Sequence, residues 1–481
     1  MRVRRSRSVP TFTRPRVRTQ WLEEPALAFA GDREALDQKE GLARYGPASL
    51  GESRHPAEIR LGFIGSGRSI ATAQGWFRRA AEGIAGDPAK HLARFPGFAE
   101  DRGFFSRLVM SDSQVEAITA HELDAVLASK KVADRFQEAV AVISRKMRLL
   151  RQRDDQPDVV ILALPDELVQ HTQRVKFNDP DRGLVYRDFR RAIKAELMRH
   201  QIPTQILLER VAGAEPGAKG VDHISRVAWN LCTSLYFKAG GVPWRPVGLR
   251  PDTCFIGISF HRPLGTADPA LRSSVAQAFD ELGTGLVLRG PDFSWDTHRQ
   301  GPSAHLSADQ SSELLQLVLR RYREETRRLP ARVVVHKTSR YTPEERDGFR
   351  LALAGISQFD LVAVSPTSEV RLLRQGKYPP LRGTLFSVAD VSFLYTTGYI
   401  PALQAYPHGH VPSPLQIADH HGDSSVEQLA GEILLLTKMN WNSAGFAGAL
   451  PITIRFSRLV GDIMREVPAD REPEPQFKFY T

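Results

Sequence analysis

The sequence predicts an α/β protein with two domains. The chain has 481 residues, more than one ordinary domain contains, and 42% of them are apolar, which is enough to bury a core in each domain. Strand-like apolar segments alternate with amphipathic helical segments along most of the chain. This alternation is typical of sheets whose faces are covered by helices.

The cysteine content and the lengths of the apolar segments indicate the cellular compartment in which the protein is expected. Cys232 and Cys254 are too few for a disulfide framework and have no metal-ligand spacing, which suits a reducing cytoplasm. The basic first residues are followed by Pro10, Pro15 and further arginines, so we expect no export signal. No uncharged apolar run is long enough to cross a bilayer. We therefore expect a cytoplasmic protein that contacts no membrane.

The chain is basic. Its 65 lysines and arginines exceed its 55 aspartates and glutamates, and the formal net charge is +10. Such a balance is compatible with a polyanionic partner, and equally with basic residues that only solvate the surface. The position of the charges must decide between the two.

The first half of the chain begins with an arm. Residues 1–55 are rich in Arg, Pro and Gly and are interpreted as an N-terminal arm. A predicted strand over residues 59–64 then leads through a glycine turn, residues 65–67, into a helix around residues 76–84. The turn could hold a phosphate at the helix N-terminus. It lacks the third glycine of a dinucleotide fingerprint and the lysine of a P-loop, which favours a structural turn.

The rest of the first half continues the α/β pattern. We predict helices over residues 132–150, 186–200 and 227–237, and strands over residues 158–164 and 201–207. Gly240 and Gly241 end the last of these helices, because glycine supplies the positive φ that closes a helix. We place the domain boundary at Trp244.

The second half has a different order of elements. Strands are predicted over residues 253–259, 285–288, 333–336 and 359–364, and helices over residues 311–329, 351–359 and 426–439, before a closing segment over residues 456–467. This order resembles a ribonuclease-H-like layer.

Several motifs carry a resemblance to a known family. The segments at residues 201–205 and 230–244 resemble the Argonaute MID domain and its exit into the PIWI domain. Further segments recur in order in PIWI domains of short prokaryotic Argonautes; they lie at residues 254–258, 333–339, 382–384, 436–442 and 451–454. The resemblance covers roughly residues 156–481, and nothing in the chain resembles the N-terminal or PAZ domains of long Argonautes.

The resemblance implies a domain order. After the arm, residues 56–244 are expected to form a Rossmann-like MID domain with a preceding α/β segment. Residues 245–481 are expected to form a ribonuclease-H-like PIWI domain.

The resemblance also implies a pocket for the 5′ phosphate of a guide strand. The family positions correspond to Arg190, Lys194, Gln205 and Lys238. Cations and amides suit a phosphate, because each of its oxygens accepts hydrogen bonds and its charge must be neutralised. Arg190 departs from the family pattern, in which many members have an aromatic residue or histidine, although a guanidinium can also stack on a base.

Ordinary structural roles are the alternative for these cations. The basic residues of the helix around Arg190 could form a solvated face. Lys238 could be a helix-end lysine whose charge interacts favourably with the helix dipole. In relatives the end of the chain reaches this pocket, where the carboxylate of Thr481 would help bind Mg²⁺ beside the phosphate. A disordered tail is the alternative for that segment.

The same family comparison predicts a PIWI domain that does not cleave. Ribonuclease-H-type cleavage needs two divalent cations held by several carboxylates. The matching positions are Ser259, Thr338 and Arg458, none of which is a carboxylate. The nearby Asp252 and Asp360 are interpreted as loop or cap residues. The His- and Asp-containing runs at residues 406–410 and 419–423 fit no standard metal site.

These inferences predict a binding protein of prokaryotic antiviral immunity. It would hold a guide strand, sense complementary single-stranded DNA, and activate a separate APAZ-containing effector of the sirtuin-like, TIR or nuclease type as a heterodimer. An RNA guide with a DNA target is the common combination in relatives, yet no residue here can be named that contacts a 2′-hydroxyl. The alternatives are an active guide-directed nuclease, and a structural nucleic-acid protein that is indifferent to a 5′ phosphate.

Overall fold

The fold contains two main sheets. The structure, a computed structural model, describes residues 17–179, 183–215, 217–262, 271–279, 285–406, 410–467 and 474–481. A four-stranded parallel sheet lies in the first half and a nine-stranded mixed sheet in the second. The predicted α/β class is confirmed. No helix within these ranges has both the length and the apolar character that a membrane span requires.

The N-terminal segment packs on both halves. It comprises β1 (Val17–Trp21), β2 (Leu27–Ala28), β3 (Glu34–Ala35) and α1 (Gln38–Tyr45). Strand β1 extends the nine-stranded sheet by pairing antiparallel with the strand Thr384–Val388. Helix α1 begins after Asp37, whose carboxylate accepts hydrogen bonds from the first free backbone amides.

A buried ionic cluster fixes this segment to the second half. The guanidinium of Arg382 donates to the carboxylate of Glu24 at 2.8 Å, and Lys438 Nζ lies 3.1 Å from the same carboxylate. Lys438 also donates to the carbonyl of Leu36 at 2.7 Å. All three charged side chains are buried, so their mutual pairing compensates the cost of removing them from water.

The first half builds the parallel sheet and its covering helices. In chain order its elements are β4 (Glu58–Gly65), α2 (Gly67–Glu82), β5 (Arg107–Ala117), α3 (Ala120–Ala128), α4 (Val132–Arg151), β6 (Val159–Leu164), α5 (Asp166–Thr172), β7 (Arg174–Asp179), β8 (Gly183–Asp188), α6 (Phe189–Leu197), β9 (Thr204–Leu208), α7 (Glu209–Ala212) and α8 (Ile224–Lys238). The parallel sheet has the order β5-β4-β6-β9, and β7 and β8 form an antiparallel pair.

Strand β6 shows why this sheet has helices on both faces. All six of its residues are buried. Because neighbouring side chains of a strand point to opposite faces, Leu162 packs in one core with α4 and α6, whereas Ile161 packs in another with α2 and α8. A continuous apolar run is therefore what this position in the sheet requires.

The glycine turn after β4 is structural. A Cβ atom at Gly65 would lie 2.0 Å from the carbonyl oxygen of Ala163, so only glycine fits there. Ser66 caps α2, and the hydroxyl of Ser69 donates to the same Ala163 carbonyl at 2.6 Å. These contacts hold the turn against β6.

The second half builds the mixed sheet. Its elements are β10 (Arg245–Pro246), β11 (Thr253–His261), β12 (Leu271–Phe279), β13 (Gly285–Ser294), α9 (Thr297–Gln300), α10 (Ala308–Thr326), β14 (Arg332–Lys337), α11 (Pro343–Ala352), β15 (Gln358–Pro366), β16 (Thr384–Val388), β17 (Val391–Leu394), β18 (Leu415–Gly422), α12 (Val426–Leu436) and α13 (Ile452–Met464). The strand order is β1-β16-β17-β18-β15-β14-β11-β12-β13, with β11, β14 and β15 mutually parallel at its centre.

Each face of this central region has its own helices. Ile256 on β11 packs in a core with α10 and α11. Its neighbour Phe255 packs on the opposite face, in the core that contains α12 and α13. That second core continues into the first half, where it contains α2 and α8. Trp244, at the predicted boundary, is fully buried within it and donates to the carbonyl of Lys438 at 3.1 Å.

Several predicted helices differ from the structure in their bounds; the one predicted around residues 76–84 is α2, which begins at Gly67. The helix predicted from residue 186 begins three residues later, because β8 continues to Asp188 and the Asp188 carboxylate caps α6. The helix predicted over residues 351–359 is wrong, since α11 ends at Ala352. Its start is fixed earlier by the capping box of Thr342 and Glu345 and by Pro343 in the first turn.

Because β11 and α13 approach closely, adding one methyl group at Gly257 should destabilise the protein. A Cβ atom at Gly257 would lie 2.0 Å from the backbone oxygen of Thr453. Because backbone cannot rotate away, we expect Gly257→Ala to lower the free energy of unfolding by about 1–3 kcal/mol in urea titrations. The matched control is Gly75→Ala on α2, where a new Cβ meets nothing within 4 Å. That change should raise stability by roughly 0.5–1 kcal/mol. Equal effects of the two substitutions would contradict the packing described for β11.

Candidate functional site

Four predicted site residues come from three elements that meet at one pocket. Arg190 and Lys194 lie one helical turn apart on α6, which places them on the same face. Gln205 lies on β9, and Lys238 is the last residue of α8. The structure brings these side chains together, and we call the four residues the lysine pocket.

Hydrogen bonds link the members of the lysine pocket. Lys238 Nζ donates to Gln205 Oε1 at 2.5 Å. Lys194 Nζ donates to the backbone oxygens of Thr204 and Thr481. Arg190 and Gln205 line an adjoining cavity of about 260 Å³. The described hydrogen-bond partners of the two lysines are thus oxygens of Thr204, Gln205 and Thr481, and none belongs to an aspartate or glutamate side chain.

Burial makes both lysines poor cations in the free protein. Lys194 is 8% exposed, and burial together with the charge of Arg190 lowers its pKa to about 7. Lys238 is 1% exposed, and burial together with the charge of Lys194 lowers its pKa well below the usual range. Within the described ranges, neither lysine forms an ion pair with an aspartate or glutamate. An anionic ligand would compensate the buried charge.

Some residues beside the lysine pocket were not predicted as site residues. The Ser234 hydroxyl lies 3.2 Å from Gln205 Oε1 and 2.6 Å from Asn442 Oδ1, and its single proton is donated to one of these two oxygens at a time. Asn230 and Asn442 line the same cavity. Asn442 lies in the second half of the sequence, so no local pattern indicates that it approaches β9 and α8.

The last residues of the chain lie at the lysine pocket. Thr481 is 8% exposed and accepts the hydrogen bond from Lys194 described above. The ring of Phe477 stacks on that of Phe456, with centroids 4.0 Å apart, which anchors the segment to α13. The described residues contain no group of three or more His, Cys, Asp or Glu that could hold a metal. Binding of Mg²⁺ at Thr481 stays a prediction. The ligands of the ion would be oxygens of the chain and of a bound phosphate.

The three positions predicted to replace catalytic carboxylates also meet. Gly257 pairs with His336 in the parallel register of β11 and β14, which brings Ser259 and Thr338 side by side at the carboxyl ends of these strands. Arg458 on α13 faces the same place. All three line one cavity of about 330 Å³, which we call the central cavity.

The described lining of the central cavity contains no carboxylate. Its remaining members are apolar, hydroxyl-bearing or basic residues; they are Ile258, Phe260, His261, Arg262, Arg272, Pro302, Ser303, Ala304, Lys337, Ser339, Ile454 and Ser457. The Ser259 hydroxyl donates to the Ser457 carbonyl at 2.7 Å. Burial and the charge of Arg289 lower the pKa of His261 to about 4, so this histidine is neutral at pH 7. The cavity therefore offers hydrogen-bond donors and positive charge.

Asp360 has a structural role. It lies on β15 and is fully buried, and its carboxylate pairs with Arg332 at 2.8 Å and with His420 at 2.9 Å. Although burial opposes ionisation, hydrogen bonds from His420, Ser424 and Arg332 hold the pKa of Asp360 below its usual range. Asp252 precedes β11 with a positive φ of 57° and pairs with Arg328.

The aspartates of the run at residues 419–423 also have structural contacts. Asp419 accepts a hydrogen bond from the backbone of Tyr341, and Asp423 accepts one from the backbone of Phe359. Asp419 on β18 thus contacts the segment before α11, and Asp423, just after β18, contacts β15. Residues 407–409 of the other run lie outside the described residues.

Comparison with known proteins identifies the fold. No family model matches the chain. It is 24% identical over 289 residues to an Argonaute protein of Aquifex aeolicus, an alignment that covers 60% of this chain and 37% of that protein.

Solved structures are similar over nearly the whole chain. Clostridium butyricum Argonaute bound to a guide DNA and a 19-mer target DNA superposes with a TM-score of 0.66 at 16% identity, covering 96% of this chain and 54% of that one. Drosophila Piwi gives a TM-score of 0.58 at 14% identity, covering 96% and 56%. The chain thus spans about half the length, or less, of these relatives. The resemblance predicted from the sequence is confirmed at the level of the fold: the chain is similar to Argonaute proteins, with a parallel sheet like that of MID domains followed by a ribonuclease-H-like sheet like that of PIWI domains.

Proposed function

We propose that the protein binds a guide strand by its 5′ phosphate and pairs that guide with a complementary target without cutting it. The observation that carries the proposal is the lysine pocket, in which two buried lysines lie close together without an aspartate or glutamate partner among the described residues. Structures of the similar Argonautes include complexes with guide DNA, target DNA and externally bound siRNA.

A terminal phosphate fits the lysine pocket by charge. Its two negative charges at neutral pH offset the buried ammonium groups of Lys194 and Lys238. Arg190 stands at the open edge, where its guanidinium can bond a phosphate oxygen or stack on the first base. Internal phosphodiesters carry a single charge and are flanked by sugars on both sides, so the pocket should prefer a strand end.

Target cleavage is not part of this proposal. Two-metal hydrolysis needs several carboxylates to hold the cations that activate water and stabilise the leaving group. The central cavity supports the proposal because Ser259, Thr338 and Arg458 line it without any described acid beside them. An active guide-directed nuclease is the rival function, and it would require acids that enter this cavity.

The response to a bound target is proposed to come from another protein. The motifs shared with short Argonautes suggest a heterodimer with an APAZ-containing effector of the sirtuin-like, TIR or nuclease type. In this scheme an RNA guide and invading single-stranded DNA form the signal, and the effector acts in prokaryotic immunity. A separate effector agrees with a central cavity whose described lining has no carboxylate to hold the metal ions of two-metal hydrolysis.

The lysine pocket predicts selective loss of 5′-phosphate recognition. Lys194→Met and Lys238→Met keep the side-chain volume but remove the charge. We expect each to weaken binding of 5′-phosphorylated guides by about 1.5–3 kcal/mol, with little change for 5′-hydroxyl guides. Competition binding with both guide types measures this, and Lys219→Met, at an exposed position, is the matched control. Equal losses for the two guide types would remove the pocket assignment and favour a structural nucleic-acid protein.

The lowered pKa of Lys194 predicts a pH dependence. The free protein holds Lys194 with a pKa of about 7, and a bound phosphate must raise this pKa. Protonated Lys194 is the binding form, so affinity for 5′-phosphorylated guides should fall as pH rises from 7 to 9, where the phosphate is already a dianion. The fall should approach tenfold per pH unit and should be smaller in Lys194→Met. A 5′-hydroxyl guide corrects for general effects, and a flat difference between the two guides would contradict the assigned titration.

The central cavity predicts an inert PIWI domain. Purified protein with guide, matched target and Mg²⁺ or Mn²⁺ should give no guide-directed scission on denaturing gels. Ser259→Asp should remain inert, because one added carboxylate leaves Thr338 and Arg458 unable to bind a cation. Cleavage at a fixed distance from the guide 5′ end, repeated with partner-free protein, would establish the rival nuclease function.

A further inference from the structure

One edge of the nine-stranded sheet is open among the described residues. Strand β1 is the outermost strand there, and in the described part of the chain it pairs with β16 alone. The residues of β1 are all exposed, and they pair with β16 at every position without a bulge or a proline. An edge of this kind presents backbone N–H and C=O groups to which another strand can add.

Two other sheet edges of the protein are protected. The opposite edge of the same sheet, β13, is covered by the C-terminal segment, where Leu286 bridges to Gln476 and the amide of Val287 donates to the carbonyl of Pro475 at 2.8 Å. At the edge of the parallel sheet, β5 carries both acidic and basic residues, and its pairing with β4 is interrupted by a shift in register. Strand β1 has one charged residue, Arg18, and no such interruption. Its edge is therefore the one of these three that remains suited to strand addition.

Three residues of β1 direct their backbone groups away from the sheet. The amide of Leu22, just after β1, donates to the carbonyl of Gly383 at 2.9 Å. Because the backbone groups of successive residues in an antiparallel strand point alternately to its two sides, the even-numbered residues of β1 also face β16. The odd-numbered residues, which are Val17, Thr19 and Trp21, therefore present N–H and C=O to the outer side.

The same three residues form an exposed row with apolar ends. Their side chains share one face of the sheet, on which Val17 is 52% exposed and Trp21 is 44% exposed. Val17 lies beside Val388 in the register with β16, and Val388 packs against a small cluster of buried aromatic rings. The apolar surface of this face thus continues to the edge of the sheet.

We infer that β1 pairs with β1 of a second copy of this chain, antiparallel about a two-fold axis through Thr19. In this register Val17 of each molecule lies opposite Trp21 of the other, and Thr19 lies opposite its own equivalent. All of these residues have outward-facing backbone groups, so each facing pair exchanges two hydrogen bonds. An apolar side chain meets an apolar one on both sides of the axis. The edge is therefore complementary to itself, as a two-fold interface requires.

Other arrangements satisfy the edge less well. A two-fold axis through Arg18 or Gln20 would bring together backbone groups that already face β16, and an axis through Arg18 would also place two guanidinium groups opposite each other. An axis between two residues would pair outward-facing groups with inward-facing ones. A strand of another protein could bond the backbone, but the sequence of β1 specifies only its own match. A second copy is therefore the occupant that this edge favours.

Sedimentation equilibrium of the full chain, without guide or target, tests the pairing. The interface is smaller than the roughly 800 Å² per partner of stable complexes, so we expect a monomer–dimer equilibrium in the micromolar range. Thr19→Pro removes an N–H that β16 does not use, and it places a proline ring on the outer side. It should raise the dissociation constant of the dimer about ten- to a hundredfold. Thr19→Val keeps the N–H and is the matched control, which should retain the dimer.

A charge exchange tests the register. Thr19→Lys and Thr19→Asp each place two like charges opposite each other across the axis, so either variant alone should be monomeric. An equimolar mixture should restore a dimer with one molecule of each variant, because lysine then faces aspartate. Energy transfer between differently labelled variants reports this mixed dimer. Thermal unfolding of each variant verifies that it is folded.

Three results would each overturn the inference. An unmodified chain that stays monomeric at its highest soluble concentration would leave the edge of β1 to a strand of a different protein. An undiminished dimer in Thr19→Pro would place the contact between copies elsewhere on the molecule. Failure of the lysine and aspartate variants to associate when mixed would exclude an axis through Thr19. Guide binding does not enter these measurements, so the inference is independent of the proposed function.

Discussion

The burial of Lys194 and Lys238 is the constraint on which the site depends. Each ammonium group is removed from water, and its described hydrogen-bond partners include no aspartate or glutamate side chain. Burial of this kind destabilises the protonated form of each lysine, and the pKa values of both lysines are lowered for that reason. A fold keeps an uncompensated buried charge at the expense of stability, so a ligand that supplies the missing negative charge is the simplest physical account of it.

The same pocket explains why the two halves of the chain must pack as one body. Lys194 and Lys238 come from the MID-like half, whereas Thr481 and Asn442 come from the PIWI-like half. The apolar core that contains α2 and α8 continues without interruption to α12, α13 and Phe477. The buried Glu24, Arg382 and Lys438 add the N-terminal segment to this assembly. Movement of one half against the other would therefore disturb the oxygens that hold Lys194.

Periodicity predicted most of the long helices and the central strands of both sheets, but it missed strands such as β5, β12 and β16–β18. It also failed where local capping or distant contacts decide. The apolar run over residues 158–164 correctly indicated a central strand, because all of β6 is buried between two layers of helices. The helix expected over residues 351–359 was misplaced, since its apolar pattern gave no weight to the capping box at Thr342. The members of the lysine pocket could be named only through family resemblance. Their spacing alone was equally compatible with a solvated helix face, and Asn442 needed the folded chain.

The two basic sites of the protein differ in the kind of cation that they use, and this difference has a physical consequence. In the lysine pocket the charge can be lost, because burial brings the pKa of Lys194 to about 7 and that of Lys238 well below its usual range. The pocket then carries its full charge only when a dianion is present to restore it, which suits recognition of one strand end. In the central cavity the arginines cannot deprotonate, and Arg458 remains in contact with solvent. That cavity therefore keeps its positive charge independently of any ligand. Carboxylates at the same three positions would instead repel a phosphate until cations arrived. With Ser259, Thr338 and Arg458 at these positions, the described lining is positively charged without a metal ion.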